Sequence, residues 1–180
     1  MEIEDRELVS WVLAGQTDYF RLLVDRHQQA IFRFAVGILG NREEAQDVTQ
    51  EVFLAAFANL HGYDSSRAAF STWLFTITRN RCINLLKKSR PIELDEPEMV
   101  RGDVSSDQVV RQELSEQLDR ALAALSVEQR TAFVLAEIEE LPYAEIARIE
   151  QTSLGTVKSR IHRAKQRLQS LLEPVLRESK

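Results

Sequence analysis

Apolar residues recur at three- and four-residue steps along most of this chain, the period of amphipathic helices. Leu8, Trp11 and Val12 open one stripe, and Phe20, Leu23, Val24, Ile31, Phe34, Ala35 and Ile38 form the next. Asn41-Arg-Glu-Glu44 reads as a capping box, with Asn41 accepting from the first free amides while Glu44 reaches back. The helix it opens carries Val48, Val52, Phe53, Ala56 and Phe57. After a loop around His61 to Arg67, a long helix is predicted from about Ser71 to Lys88, with Trp73, Leu74, Ile77 and Leu85 on its inner side. The period fails from Pro91 to about Ser106, where Pro91, Pro97 and Gly102 break helix. It returns with Val109, Leu114, Leu118, Leu122 and Leu125. Ser126-Val-Glu-Gln129 is a second capping box, ahead of Phe133, Val134, Ala136 and Ile138. Pro142 stands at the start of the helix after that, where a missing amide costs nothing. The pattern predicts an all-α protein: helical domains at 1–90 and 109–180, joined by a flexible linker at 91–108.

The last two helices carry the strongest chemical signal. Ile146, Ala147 and Ile149 share one face of a short helix, and Ala147 is small where two helices would cross closely. Leu154, Val157, Ile161, Ala164 and Leu168 then form the apolar stripe of a second helix. Its other side carries Lys158, Arg160, Arg163, Lys165 and Arg167, with Thr156 and Ser159 beside them, and no acidic residue occurs between Leu154 and Leu172. A short helix, a turn and a basic helix opened by small hydroxyl residues suit major-groove readout, with base edges read by the first turns and phosphates held by Lys and Arg. A membrane surface or an acidic partner would also accept such a helix. The turn position four residues after Ala147 favours Gly for its positive φ, and here it is Gln151.

Charge becomes informative once it is divided along the chain. The net of −5 hides a neutral first part, residues 1–92, with eleven acidic and eleven basic side chains. Residues 93–119 carry nine acids against two bases, and residues 120–180 carry ten bases against eight acids. The acidic middle, including Glu93, Asp95, Glu96, Glu98 and Asp103, masks two basic helices. The second of these is the predicted Ser71–Lys88 helix, whose polar side presents Arg79, Asn80, Arg81, Asn84, Lys87 and Lys88. With one cysteine, Cys82, no intramolecular disulfide can form, and a cytoplasmic location is expected. No apolar run approaches a membrane span, so no membrane insertion is expected.

Four motifs together resemble bacterial RNA polymerase sigma factors of the extracytoplasmic-function type, in the sigma-70 family. They are Ala45-Gln-Asp-Val-Thr-Gln-Glu-Val-Phe-Leu-Ala-Ala-Phe57, Phe70-Ser-Thr-Trp-Leu-Phe-Thr-Ile-Thr-Arg-Asn80, Leu141-Pro-Tyr-Ala-Glu-Ile-Ala147 and Gly155-Thr-Val-Lys-Ser-Arg-Ile-His-Arg-Ala164. They occur in family order over nearly the whole chain. Glu150, Gln151 and Thr152 depart from the family, which usually has an apolar residue, Gly and a small apolar residue there.

The resemblance implies a sigma-two domain whose Asp47, Gln50, Glu51 and Phe53 dock on the beta-prime clamp helices of core polymerase, although Phe53 suits a core position equally well. It implies that the Gly62–Phe70 loop and the following helix capture a flipped base of the minus-ten element. Asn80 is the expected pocket residue, with Arg79, Arg81, Asn84, Lys87 and Lys88 along the phosphates, and Trp73 is read as a core anchor in preference to a stacking platform. It implies a sigma-four domain, meeting the beta flap, that reads the minus-thirty-five duplex with Ser153, Thr156, Ser159, Arg160 and Arg163, Lys158 taking phosphate. An anti-sigma factor is a further implied partner, and a stress or envelope regulon the implied setting. The acidic linker would thread a basic channel of polymerase.

Two other readings compete with this one. A free-standing operator-binding regulator would share the final helix pair but needs no second basic helix. An enzyme needs a site, and His27, His61 and His162 are scattered with no nucleophile, metal-ligand or phosphate-loop signature beside them. No cofactor and no metal are expected.

Overall fold

Asn41 makes the first corner. Its side chain accepts from the Glu43 and Glu44 amides at 2.9 and 3.1 Å, starting one helix where Gly40, at φ +70°, ends the one before. The computed structural model describes residues 3–88 and 117–178, with side chains up to Glu173. The predicted linker at 91–108 lies outside the described residues.

The first unit is α1 (Asp5–Leu13), a 3-10 turn at Thr17–Tyr19, α2 (Phe20–Leu39), α3 (Arg42–Ala58) and α4 (Phe70–Lys88). The second is α5, helical over 117–123, then α6 (Val127–Phe133), α7 (Tyr143–Ile149) and α8 (Leu154–Glu178). Ser126 caps α6 as predicted: its Oγ accepts from the Gln129 amide at 3.2 Å, and Gln129 Oε1 accepts from the Ser126 amide at 3.4 Å. α6 continues as a π turn over Val134–Ile138. Among the described residues there is no strand.

The apolar faces of the two units merge. One cluster runs from Leu8, Leu23, Phe34, Val52, Leu74 and Cys82 into Ala132, Val134, Leu135, Ile146, Ile149, Val157 and Ile161. A smaller one joins Ala121, Leu122 and Leu125 to Ala164 and Leu168. Close approach at the seam needs Gly37: a Cβ there would lie 2.9 Å from Val134 Cγ2.

Polar groups close the same seam. Arg130, almost wholly buried, donates from Nη1 to the Ile38 carbonyl (2.7 Å) and from Nη2 to the Ala123 carbonyl (2.9 Å). The Ile38 carbonyl lies in the last turn of α2, where acceptors lack helical partners and a cation suits the dipole. Thr72 Oγ1 on α4 donates to Glu145 Oε2 on α7 at 2.9 Å. Arg33 reaches from α2 to Glu139, beyond the π turn.

Candidate nucleic-acid and polymerase interfaces

The α7–α8 pair is a helix-turn-helix, and the turn is made by residues that the sequence left in question. Pro142 precedes α7, Ile146 and Ile149 are buried, and Gln151 adopts φ +52°. The left-handed turn is therefore kept with a side chain where Gly would be unstrained, at a cost of about 1 kcal/mol. The Thr152 amide donates to the Ala147 carbonyl at 3.0 Å, and Ser153 Oγ accepts from the Thr156 amide at 3.1 Å, opening α8.

On α8, Val157, Ile161, Ala164 and Leu168 face inward as the period predicted, whereas Leu154, at the head of the same stripe, is exposed. Ser153, Lys158 and Arg163 are exposed, whereas Thr156, Ser159 and Arg160 are half-buried. Arg160 Nη1 donates to Glu150 Oε2 at 2.8 Å, and the Glu150 side chain has no exposed surface. Burial pushes the Glu150 carboxyl above its ordinary value, although Arg160 and Arg79 pull it down. Lys165 pairs with Glu137 of the π turn at 2.9 Å.

The loop before α4 is tied by Asp64, whose carboxylate accepts from the Ser66 amide (2.9 Å) and hydroxyl (2.7 Å). Those bonds hold its carboxyl below the usual range. Tyr63, Phe70 and Trp73 pack their rings at centroid distances of 5.3–5.7 Å. Trp73 is thus part of an aromatic knot that seats the loop on α4, in keeping with an anchor.

The α4 polar set divides between two directions. Asn80, Arg81, Asn84 and Lys88 line a cleft of about 650 Å³ against Glu44, Asp47 and Glu51 of α3, and Arg81 forms an ion pair with Glu51. Lys87 is exposed. Arg79 is half-buried, with Nε enclosed and without a hydrogen-bond partner, and its charge acts on Glu128 and Glu150 of the second unit.

The four residues expected to meet polymerase also divide, on the two sides of α3. Asp47 and Glu51 face the α4 cleft. Gln50 and Phe53 face α2, in an apolar groove shared with Phe20, Val24, Leu54 and Phe57. Phe53 is buried in its floor, while Leu54 is 70% exposed and Phe57 44%. Leu54 was missed because it falls off the inward stripe; an apolar residue on the outer side of α3 is itself the signal.

Sequence comparison places the halves in families. Residues 23–92 match the model for Sigma-70 region 2, and residues 115–168 that for Sigma-70, region 4. The chain is 33% identical to the ECF RNA polymerase sigma factor SigW of Bacillus subtilis, covering 96% of this chain and 98% of that one. This chain belongs to the extracytoplasmic-function sigma factors. It is likewise 34% identical to the RNA polymerase sigma-H factor of Pseudomonas aeruginosa, covering 98% and 97% of the two chains. Among solved structures, CnrH in complex with the cytosolic domain of CnrY superposes with a TM-score of 0.75 and 28% identity, over 94% of this chain and 97% of that one. RpoE in complex with the anti-sigma factor NepR from Bartonella quintana gives 0.71 and 26%, over 86% and 96%. The sigma factor thus binds core RNA polymerase and promoter DNA and directs transcription initiation. Among the described residues no helix is long and apolar enough to cross a membrane, and no three metal-ligating side chains converge.

Proposed function

We propose that the sigma factor divides its work by surface. Residues 1–90 act as the sigma-two domain, 109–180 as sigma-four, and 91–108 as the acidic connection between them. Asn80 and Asn84, exposed on α4 in the cleft against α3, face the minus-ten element, with Arg79, Arg81, Lys87 and Lys88 supplying positive charge. Ser153, Thr156, Ser159, Arg160 and Arg163 meet the minus-thirty-five duplex, and Lys158 its phosphates. The α2–α3 groove, with Gln50, Phe53, Leu54 and Phe57, takes the beta-prime clamp helices, and Asp47 and Glu51 flank it. The second unit meets the beta flap.

The observation that carries this reading is the completed helix-turn-helix, with its turn held at Gln151 and the exposed Lys158 and Arg163 on α8. The chain performs no catalysis itself and works in the cytoplasm, where an anti-sigma factor holds it until an envelope or stress signal. Two structural relatives, each determined with an anti-sigma factor or a cytosolic partner domain, support that last point. Run-off transcription with core polymerase on a promoter library tests the whole. Transcripts that require the chain and share paired upstream and downstream elements are expected. Sequence-independent initiation would reject it.

A further inference from the structure

Glu150 occupies a position that the pattern of α7 reserves for an apolar side chain. With Ile146 and Ile149 it completes the buried stripe, and its residue exposure is 5%. Its two oxygens have different surroundings: Oε2 accepts from Arg160 Nη1 at 2.8 Å, and Oε1 is enclosed without a hydrogen-bond partner. Arg160, in contrast, keeps about a quarter of its side chain exposed, on the side of α8 that carries Thr156 and Ser159.

We propose that Glu150 is a positioning residue that sets promoter specificity by fixing the guanidinium of Arg160 for base readout. The inference rests on the assignment of Arg160 to the upstream duplex. A guanidinium is a rigid planar fork, so holding Nη1 restricts the orientations open to the whole group. The edge formed by Nε and Nη2 is left to meet the paired acceptors of a guanine, N7 and O6. Without Glu150, the long Arg160 side chain would spread over several rotamers and lose orientational entropy on each contact.

Energetics favour a functional reading over a stabilising one. A buried carboxylate with one unsatisfied oxygen is costly, and burial outweighs the attraction of both nearby arginines in raising its carboxyl. A fold selected for stability alone would place Leu there. Removing the charge leaves Arg160 able to turn to solvent, and half-buried Arg79 still has the charge of Glu128 to act on.

The test uses the full chain with core polymerase and a promoter library randomised across the upstream element, scored by sequencing the transcripts. Arg160→Ala identifies the base pair that Arg160 reads, where discrimination should fall from about ten-fold or more to under about three-fold. Glu150→Leu should flatten the preference at that same base pair and leave the other positions within about two-fold. Glu150→Gln, which keeps an acceptor for Nη1, should fall between parent and Leu. Glu150→Leu should also melt at the parent temperature or above, since a desolvated charge has gone. A parent-like preference profile for Glu150→Leu overturns the inference, and so does a uniform loss at every position, the mark of structural damage. A flat response to Arg160→Ala would overturn it together with the assignment of Arg160, whereas failure of Glu150→Leu alone would leave that assignment standing.

Discussion

Arg33 and Glu139 stand 106 residues apart and meet through two parallel hydrogen bonds, Nε to Oε1 at 3.0 Å and Nη2 to Oε2 at 2.7 Å. The carboxylate is 3% exposed and the guanidinium 51%, so the pair is a lid over one edge of the seam between the units. The contact raises the arginine above its ordinary value, first through the Glu139 hydrogen bonds. Arg33→Ala leaves the carboxylate enclosed and unpaired, and we expect a loss of about 1–2 kcal/mol, smaller at high salt. Urea unfolding at two ionic strengths checks it; no loss at low salt would make the pair ornamental.

Gly37 makes a sharper steric test. Gly37→Ala drives a methyl group against both Val134 methyls, at 2.9 and 3.0 Å, and should cost about 1–3 kcal/mol. Adding Val134→Ala removes the obstructing atoms, so the double variant should recover more than the sum of the single effects predicts. A double-mutant cycle by thermal unfolding reads the coupling directly.

The α2–α3 groove separates docking from folding. Leu54→Glu changes an exposed side chain and should leave stability within about 0.5 kcal/mol while reducing affinity for core polymerase at least ten-fold. Phe53→Ala removes a buried ring and should cost about 3–5 kcal/mol in stability. Paired melting and polymerase-binding measurements distinguish the two. Undiminished affinity in Leu54→Glu would take the groove out of the polymerase interface.

Helix content and corners were legible in the sequence because they depend on neighbours a few residues away. Ser126 and Gln129 form the predicted capping box, Asn41 caps α3 without the expected return bond from Glu44, the Ser71–Lys88 prediction differs from α4 by one residue, and Cys82 is buried. Gln151 takes the positive φ of the turn, so the missing Gly did not remove the motif. What could not be read was direction across the seam. Nothing local says that the charge of Arg79 acts on Glu128 and Glu150 while Asn80, which accepts from Arg79 Nη1 at 3.3 Å, lines the cleft against α3. The Arg33–Glu139 bond and the burial of Glu150 likewise depend on partners more than a hundred residues off or on how α7 packs. The α3 stripe divided for a similar reason: Asp47 and Gln50 are both exposed, and only the positions of α2 and α4 reveal that they face different grooves.

Acid should loosen the amino terminus first. Asp5 accepts from His27 Nε2 (2.8 Å) and also pairs with Arg26, binding α1 to α2. Burial alone would push its carboxyl up, but these partners hold it below the ordinary 3.8. A depressed carboxyl contributes stability that is full above its unfolded value and lost as pH falls through its folded one. That contribution should therefore be intact at pH 6 and decline as pH falls below about 3.8, and Asp5→Asn should flatten the difference. Urea midpoints at pH 6 and pH 3 supply the comparison.

Promoter geometry asks the two units to part. The minus-ten and minus-thirty-five elements lie about 25 base pairs apart, or about 85 Å of duplex at ~3.4 Å per pair. Arg79 and Arg160, assigned to opposite elements, both act on Glu150, so the arrangement described here cannot serve both elements at once. We expect the separation of labels placed on α3 and α8 to grow by tens of ångströms when the chain joins polymerase on a promoter. An unchanged separation would mean that one of the two arginines has been assigned to the wrong surface.

Cys82 has a practical consequence for such measurements. Its thiol is buried on α4 and pushed up to about 12 by loss of solvent, so it stays in the unreactive thiol form at pH 7. Dyes can then be attached at introduced surface cysteines with the native one left in place. Slow modification of the unaltered chain would become a clock: each event would record one opening of the helical core around α4.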